Sequence, residues 1–115
     1  MHKYCFRKKM RLVKRKEFNY VFLSPKKIFC RELVFFFRKS HISHSRIGII
    51  ISKKNIKKSN ERNRIKRLVR ETFRISQNRL IPMDYIVIVK KESMNLNNSK
   101  LMELLKQLWK KNYLL

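Results

Sequence analysis

The sequence contains few acidic residues, few cysteines and almost no glycine. Only 7 Asp and Glu stand against 31 Lys and Arg, which gives the 115-residue chain a formal net charge of +24. Its two cysteines, Cys5 and Cys30, are too few for a disulfide framework and lack the further cysteines of a typical zinc site, so we predict reduced thiols. The single glycine and the absence of alanine, beside abundant Lys, Ile, Asn and Phe, indicate an AT-rich coding sequence, which itself raises the lysine content.

Long hydrophobic runs are also missing. A membrane span needs about 18 consecutive apolar residues, whereas uncharged stretches such as residues 18–25 are far shorter. Near the N-terminus, the basic residues between positions 7 and 14 interrupt the place where a signal peptide has its apolar segment. We therefore predict a cytoplasmic chain that has no transmembrane helix and is not exported.

What is present is a small, strongly basic chain with enough apolar material to fold. A length of 115 residues fits one domain, which we place at residues 1–115. The 43% of hydrophobic and 11% of aromatic residues suffice for a modest core. Because uncompensated positive charge on so small a body repels itself, the composition indicates a polyanionic partner, either nucleic acid or an anionic membrane surface.

Hydrophobic periodicity predicts three helices and up to four strands. Apolar residues recur at helical spacing in a short helix over residues 14–23, in a long helix over residues 60–80 and in a final helix from about Ser99. Runs of aromatic and β-branched residues predict strands over residues 33–37, 47–51 and 85–89, with a possible short strand over 26–30. The order α-β-β-β-α-β-α predicts an α+β sandwich with helices packed against a small sheet.

The long helix has two contrasting faces. Its apolar stripe consists of Ile65, Leu68, Val69, Thr72, Phe73, Ser76 and Leu80. The opposite side carries Asn63, Lys66, Arg67, Arg70 and Arg74, with Arg62 and Arg64 at the margins. Residues 53–74 contain ten basic residues, including Lys53 and Lys54, against two acidic ones, a local net charge of +8. Like charges at these spacings destabilise a helix, and phosphates would relieve their repulsion.

A charged helix face can simply be solvated. Solvated faces usually mix charges of both signs, however, whereas this one is almost entirely cationic and rich in arginine. The planar guanidinium suits bidentate contact with phosphate and stacking on bases. We therefore interpret the face as a binding surface for a phosphate-bearing partner.

Two adjoining motifs make the pattern specific. Residues 46–54 read Arg-Ile-Gly-Ile-Ile-Ile-Ser-Lys-Lys, and residues 62–70 read Arg-Asn-Arg-Ile-Lys-Arg-Leu-Val-Arg at the start of the long helix. This order and spacing closely resembles the signature of the bacterial ribonuclease P protein subunit. The resemblance extends across the chain, because Arg11 and Leu12 before the first helix and residues 84–90 at the last strand also match the family.

The resemblance implies a fold and a function. The fold would be the sandwich of the second domain of ribosomal protein S5, with a rare left-handed βαβ crossover. The chain would be the protein subunit of a ribonucleoprotein endoribonuclease, a hydrolase that removes the 5′ leader of precursor tRNA and generates the mature tRNA 5′ end.

The resemblance also implies how the work is divided in the complex. In that family the RNA subunit carries the catalysis and mainly holds the Mg²⁺ ions, so neither catalytic residues nor an organic cofactor are expected in this chain. The expected partners are one catalytic RNA and the precursor tRNA. No obligate protein partner and no membrane are expected.

Carried over by position, the family's RNA contacts fall into two groups. The catalytic RNA would be bound by Lys53, Lys54, Arg62, Asn63, Arg64, Lys66, Arg67, Arg70 and Arg74. The leader would lie in a cleft lined by Phe18, Phe22 and Phe36, where aromatic rings can stack on unpaired bases. Spacing alone favours ordinary core positions for Phe18 and Phe22, so their leader role comes from the resemblance. Position 36 is often Tyr in relatives, and Phe36 lacks that hydroxyl.

Other functions find less support in the residues. A metal-dependent nuclease needs gathered carboxylates, and the 7 acidic residues are scattered along the chain. His41 and His44 form the one close histidine pair, in a predicted hairpin loop without a nearby cysteine, so we predict no metal site. A DNA-reading helix normally mixes Asn, Gln, Ser and Thr with its arginines. A small basic ribosomal protein, or another structural RNA-binding protein, shares the composition and is the alternative.

Overall fold

Three helices and four strands form in the predicted order in the computed structural model, which describes residues 8–114. The helices are α1 (Arg15–Leu23), α2 (Ser59–Ser76) and α3 (Asn98–Lys110), and the strands are β1 (Lys26–Phe29), β2 (Leu33–Lys39), β3 (Arg46–Ile50) and β4 (Met83–Val89). Short 3-10 turns lie at Lys8–Met10 and Lys91–Asn95. The predicted α+β class is therefore confirmed. The predictions that concern Cys5 and position 7 fall outside the described residues.

The four strands form one mixed sheet in the order β1-β2-β4-β3. β2 pairs antiparallel with both β1 and β4, whereas β3 pairs parallel with β4. A parallel pair needs a crossover connection, and α2 supplies it between β3 and β4. The left-handed sense of this crossover stays a prediction. None of the helices in residues 8–114 has the length and apolarity that a membrane span requires.

The end of α2 differs from the prediction. The periodicity predicts a helix to Leu80, but α2 ends at Ser76 and a turn follows. Leu80 forms an antiparallel bridge with Tyr113, and the N–H of Ile81 donates to the carbonyl of Asn112 at 3.0 Å. The helix stops early because the C-terminal segment binds these backbone groups. Leu80 is nevertheless buried, so it is a core residue as predicted.

The larger hydrophobic core lies between one face of the sheet and the helices α2 and α3. Alternation along the strands points Phe35, Phe37 and Tyr85 to this face. α2 contributes its predicted apolar stripe, of which six residues are buried: Ile65, Leu68, Val69, Thr72, Phe73 and Ser76. Trp109 of α3 is fully buried, and its Nε1–H donates to Thr72 Oγ1 at 3.0 Å. The core thus binds α2 to α3 as well as to the sheet.

Within residues 8–114, α1 and the segment just before it cover the opposite face of the sheet. Leu12, Val21 and Ile86 form a second, smaller core there, and all three are buried. On either side of this core, Phe29 of β1 is 64% exposed and Ile50 of β3 is 36% exposed. α1 therefore covers the centre of the face and leaves its margins open.

Gly48, the only glycine of the chain, allows α1 to approach the sheet closely. A Cβ atom at this position would lie 2.5 Å from the ring of Phe18 and 3.3 Å from Cβ of Leu12. No glycine in residues 8–114 has a positive φ, so backbone conformation does not require Gly48. Packing against Phe18 requires it.

We predict that Gly48→Ala lowers the free energy of unfolding by about 1–3 kcal/mol, because the Phe18 ring has to move away from the new methyl group. Urea unfolding measures this loss. In a Phe18→Ala background the ring is absent, so Gly48→Ala should lower the free energy of unfolding by clearly less than it does in the wild type. Equal costs in both backgrounds would show that Phe18 does not restrict position 48.

A network of charged side chains fixes the start of α1 on the sheet. Arg46 donates from Nε and Nη2 to the two carboxylate oxygens of Asp84, at 3.0 and 2.8 Å, and from Nη1 to Glu17 Oε2 at 2.8 Å. The other oxygen of Glu17 accepts from the backbone N–H groups of Val13 and Lys14, both at 2.8 Å. These two amide bonds, and then the charge of Arg46, lower the pKa of Glu17. One carboxylate thus caps α1 and joins it to β3 and, through Arg46, to β4.

We predict that Glu17→Gln lowers the free energy of unfolding at neutral pH by about 1–3 kcal/mol, since it removes a charged hydrogen-bond partner of Arg46. Folding lowers the pKa of Glu17 from its ordinary value of 4.5, so the stabilisation is complete above that value and is lost as pH falls through the folded-state pKa. Urea unfolding should therefore show a weaker acid dependence in Glu17→Gln than in the wild type. Glu103→Gln, on the exposed side of α3, is the matched control, and an equal effect there would contradict a specific role for Glu17.

Candidate nucleic-acid interface

The exposed side of α2 forms a basic groove. This groove has a volume of about 380 Å³ and is lined by Asn63, Lys66, Arg67, Arg70, Glu71 and Arg74. The structure therefore brings together all five residues predicted to lie opposite the apolar stripe. Glu71 is the acidic member, and its ion pair with Arg74 lowers the pKa of Glu71. The groove keeps an excess of positive charge because one carboxylate faces four cationic side chains.

Arg70 is a groove residue whose pKa is changed by its surroundings. Its side chain is half-buried, and burial together with the nearby charge of Arg11 lowers the pKa of Arg70. An arginine stays protonated in proteins even so. Its environment therefore favours an anion that would stabilise the guanidinium.

Arg62 and Arg64, predicted at the margins of the basic face, are bound to the protein itself. Arg62 Nη1 donates to the carbonyls of Ile56 and Lys57, both at 2.8 Å, and so holds the loop before α2. Arg64 Nη1 donates to Asn98 Oδ1 at 2.6 Å at the start of α3, and its Nε and Nη2 donate to a carboxylate oxygen of Glu61. These two arginines hold the first turns of α2 against the preceding loop and the start of α3, and neither is among the residues that line the basic groove. Their predicted contact with the catalytic RNA stays a prediction.

Lys53 and Lys54 lie in the exposed turn that follows β3. The turn is ordered by Ser52, whose Oγ accepts from the N–H of Asn55 at 3.1 Å and whose carbonyl accepts from the N–H of Ile56 at 3.1 Å. Ile56 is fully buried and anchors the turn to the larger core. Both lysines therefore stand on a folded turn that leads into α2, outside the basic groove.

Phe22, Phe29 and Phe36 form an aromatic cluster with Lys27 at the margin of α1, and we call this cluster the aromatic cleft after the predicted leader cleft to which Phe22 and Phe36 belong. The ring centres of Phe22 and Phe36 are 5.4 Å apart and those of Phe29 and Phe36 are 6.4 Å apart, both edge to face. Lys27 Nζ lies 5.7 Å from the centre of the Phe36 ring. Phe22 is 39% exposed, so the cleft presents ring surface beside a positive charge.

Two members of the aromatic cleft were missed by the sequence prediction. Lys27 pairs with Phe36 across β1 and β2, and Phe29 follows on the same face two residues later. This alternation is visible in the sequence, but the strand pairing that places it beside Phe36 is not. Phe18, which was predicted in the cleft, instead packs at the edge of the smaller core over Gly48, and its contact with the leader stays a prediction.

The second half of α1 is held to the sheet by Arg38. Its guanidinium carbon lies 4.0 Å from the centre of the Tyr20 ring, and Nη1 donates to the Tyr20 carbonyl at 2.7 Å. The Tyr20 hydroxyl donates to the Lys39 carbonyl at 2.8 Å. With Glu17 and Arg46 at the other end, both ends of α1 are fixed, and the wall of the aromatic cleft is held in place.

The histidine and acidic side chains near these surfaces make contacts within the protein. The His41 ring lies 4.4 Å from the Tyr20 ring, and His44 Nε2 lies 3.1 Å from the Lys9 carbonyl. Within residues 8–114, no three His, Cys, Asp or Glu side chains are grouped so that they could hold a metal ion. Four carboxylates are each paired with an arginine, namely those of Glu17, Glu61, Glu71 and Asp84.

Known sequences similar to the chain cover almost its full length. The profile of the ribonuclease P family matches residues 6–113. The ribonuclease P protein component of Photorhabdus laumondii is 44% identical over 112 residues, which cover 97% of this chain and 94% of that protein. The ribonuclease P protein component of Buchnera aphidicola subsp. Baizongia pistaciae is 45% identical over 113 residues, which cover 98% of this chain and 99% of that protein.

Solved structures of RNase P proteins share the fold of this chain. The Staphylococcus aureus RNase P protein superposes with a TM-score of 0.83 at 26% identity, covering 89% of this chain and 94% of that one. The Thermotoga maritima RNase P protein superposes with a TM-score of 0.75 at 31% identity, covering 88% of this chain and 96% of that one.

Proposed function

The chain belongs to the ribonuclease P protein family, and we propose that its two binding surfaces contact two different RNAs. It is accordingly a protein subunit of ribonuclease P, a ribonucleoprotein endoribonuclease of tRNA 5′ processing in which the RNA subunit carries the catalysis. The observation that carries the proposal is that the basic groove and the aromatic cleft are built by different helices, which pack on opposite faces of the sheet.

We infer that the basic groove binds the catalytic RNA. Folded RNA presents phosphates at a high density, and the groove offers one lysine and three arginines on a single helix face. Arg62 and Arg64 fix the start of α2 through their bonds to the preceding loop and to α3, and we propose that they also face the catalytic RNA at the margin of this helix face. Lys53 and Lys54 extend the positive surface from the turn before α2.

We further infer that the aromatic cleft binds the 5′ leader of precursor tRNA. A leader is unpaired, and unpaired bases stack on aromatic rings with about 1–3 kcal/mol per base and little sequence preference. Phe22, Phe29 and Phe36 provide such rings, and Lys27 provides a charge for the adjoining backbone. This combination suits a strand whose sequence differs from one precursor to the next.

Ribonuclease P is a metal-dependent nuclease, but the residues of this chain do not fit a metal site. The carboxylates that border the binding surfaces are paired with arginines, which leaves a poor donor set for a divalent ion. We therefore propose that the RNA subunit mainly holds the Mg²⁺ ions, and that no organic cofactor takes part. We also propose a complex of one protein with one catalytic RNA in the cytoplasm, without an obligate protein partner.

Reconstitution tests this function directly. The purified chain is added to the cognate catalytic RNA at low Mg²⁺ concentration, and cleavage of precursor tRNA is measured by the length of the 5′ product. We expect correct cleavage at the mature 5′ end. Absence of cleavage together with co-sedimentation of the chain with ribosomes would instead support a ribosomal protein.

We predict that Arg67→Ala weakens binding of the catalytic RNA about tenfold and reduces the slope of log affinity against log salt concentration by about one unit, because one phosphate contact is lost. Arg67 is the exposed arginine of the basic groove. Filter binding over a series of salt concentrations measures both quantities. Lys106→Ala removes the same charge from an exposed position of α3 that does not line the groove, and an equal loss in that variant would indicate a general charge effect.

We predict that Phe22→Ala lowers the affinity of the holoenzyme for leader-bearing precursor about tenfold, because one stacking surface is lost, and leaves mature tRNA binding unchanged. Leu23→Ala is the matched control, since Leu23 is the next residue, is 80% exposed and lies outside the aromatic cleft. Equilibrium binding of both RNAs to both variants makes the comparison. Equal losses for precursor and mature tRNA would assign Phe22 to the fold alone.

A further inference from the structure

A neutral pocket lies at the end of α2, between the loop before β3 and the C-terminal segment. It has a volume of about 260 Å³, and none of the described residues that line it is Lys, Arg, Asp or Glu. The basic groove on the same helix, by contrast, has four cationic side chains in its wall. Because an ion in such a pocket would lack a charged partner, the wall indicates a ligand group that is itself uncharged.

The polar side chains of the neutral pocket include both donors and acceptors. Gln77 and Asn78 line it, and an amide side chain, which offers two donors and two acceptor positions, can bind a ligand while it also interacts with the protein. His44 Nε2 lies 3.1 Å from the Lys9 carbonyl and therefore donates, which leaves Nδ1 of the neutral ring as an acceptor. The edge of a nucleobase requires this combination, whereas a phosphate requires donors alone.

The rest of the wall is apolar and the space is small. Met10, Leu80, Pro82 and Leu114 supply the apolar surface. Pockets for drug-sized ligands have volumes of about 300–1,000 Å³, so the neutral pocket suits a single ring system. A group that is uncharged, small and partly apolar, with donors and acceptors at its edge, is a nucleobase.

The helix face that forms the basic groove leads into the neutral pocket. Gln77 and Asn78 follow Arg74 of the groove by three and four residues, the spacing of one helical turn. Gln77 keeps helical backbone angles, and the N–H of Arg79 donates to the Ser76 carbonyl at 2.9 Å, so the chain still turns tightly there. The two pocket residues therefore continue the side of α2 that carries the cations.

The segment before α1 connects the two sites a second time. Met10 lines the neutral pocket, and the next residue, Arg11, borders a smaller pocket together with Lys66 and Arg70 of the basic groove. The neutral pocket therefore adjoins the groove from two directions.

Two exposed cations flank the neutral pocket without lining it. Lys9 precedes Met10, and Arg79 lies between Asn78 and Leu80. Charge thus surrounds an uncharged site, which is the distribution that a nucleotide requires when its base is bound inside and its phosphates remain outside.

We propose that the neutral pocket binds one unpaired base of the RNA that lies in the basic groove, which on the function proposed above is the catalytic RNA. Unpaired bases can be turned out of a strand and bound at their edges by amide and imidazole groups. The cations of the groove contact phosphates and carry no sequence information. The neutral pocket then gives the protein one position at which it recognises a base.

Two variants without a change of charge test the proposal. Gln77→Ala removes one amide from the wall, and Ser43→Phe fills the space from an exposed position of the loop before β3. Gln107→Ala on the exposed side of α3 and Ile42→Phe in the same loop are the matched controls, since neither residue lines the neutral pocket. Equilibrium binding of the catalytic RNA is measured over a series of salt concentrations, and urea unfolding measures the stability of each variant.

We expect Gln77→Ala to bind the catalytic RNA about fivefold more weakly, because contacts with one base edge are lost. Ser43→Phe excludes the base and should weaken binding about tenfold. In both variants the slope of log affinity against log salt concentration should stay constant, because no phosphate contact is removed. Both controls should bind like the wild type.

The bound base is identified from the RNA side. A benzophenone photocrosslinker in place of Ile42, next to the neutral pocket, should mark one unpaired nucleotide of the catalytic RNA. Removal of that single base, with the backbone left intact, should weaken wild-type binding about tenfold. Gln77→Ala should cause no further loss with this abasic RNA, because the two changes remove the same contact.

Four results would overturn the proposal. Unchanged affinity in both Gln77→Ala and Ser43→Phe would show that the neutral pocket holds no base. A smaller salt slope in both variants would indicate a phosphate contact, and a loss of affinity that follows a lower free energy of unfolding in both would assign the two residues to the fold alone. Crosslinks to precursor tRNA or to another protein would identify a different occupant. Binding of the catalytic RNA by the wild-type chain tests the proposed function separately from all four.

Discussion

The ion pairs of Arg46 with Glu17 and Asp84 hold α1, the helix that contributes Phe22 to the aromatic cleft, on the sheet. An isolated helix as short as the nine residues of α1 is not stable in water, and only Val21 of that helix is buried. Its position therefore depends on side chains that reach it from the sheet, Arg46 at its start and Arg38 further along. Asp84 is fully buried, so without Arg46 its charge would be left uncompensated in the protein interior. Arg46 therefore both holds the helix that carries Phe22 of the aromatic cleft and stabilises this face of the sheet.

α2 combines folding and binding by dividing them between its two sides. Its inner stripe packs in the larger core, whereas its outer side collects cations that repel one another. The positive charge that is needed for binding therefore destabilises the folded helix, and the phosphates of a bound RNA would relieve the repulsion. By mass action, such a ligand stabilises the folded chain in proportion to the logarithm of its concentration. Arg62 and Arg64 limit the repulsion beforehand by binding carbonyl, amide and carboxylate groups of the protein.

Periodicity predicts the elements of this fold well, because helix and strand patterns are local. The apolar stripe and the basic face of α2 follow from a 3.6-residue repeat, and both were placed correctly. The early end of α2 could not be predicted, since it results from a bridge between Leu80 and Tyr113. The pairing of Arg46 with Glu17 and Asp84 joins residues 29 and 38 positions apart. The local sequence does not indicate such long-range partners. It also does not indicate that the Phe29 ring contacts the Phe36 ring, because that contact depends on the pairing of β1 with β2.

Trp109 gives the chain a built-in optical probe. It is the only tryptophan, its indole is fully buried, and it is bonded to Thr72 on the inner side of α2, directly behind the basic groove. Tryptophan emission excited at long wavelength therefore comes from one indole in one environment. An RNA that docks on a rigid α2 leaves the wavelength of that emission constant, whereas an RNA that shifts α2 against α3 changes it. The unlabelled native chain can thus distinguish docking from rearrangement during assembly.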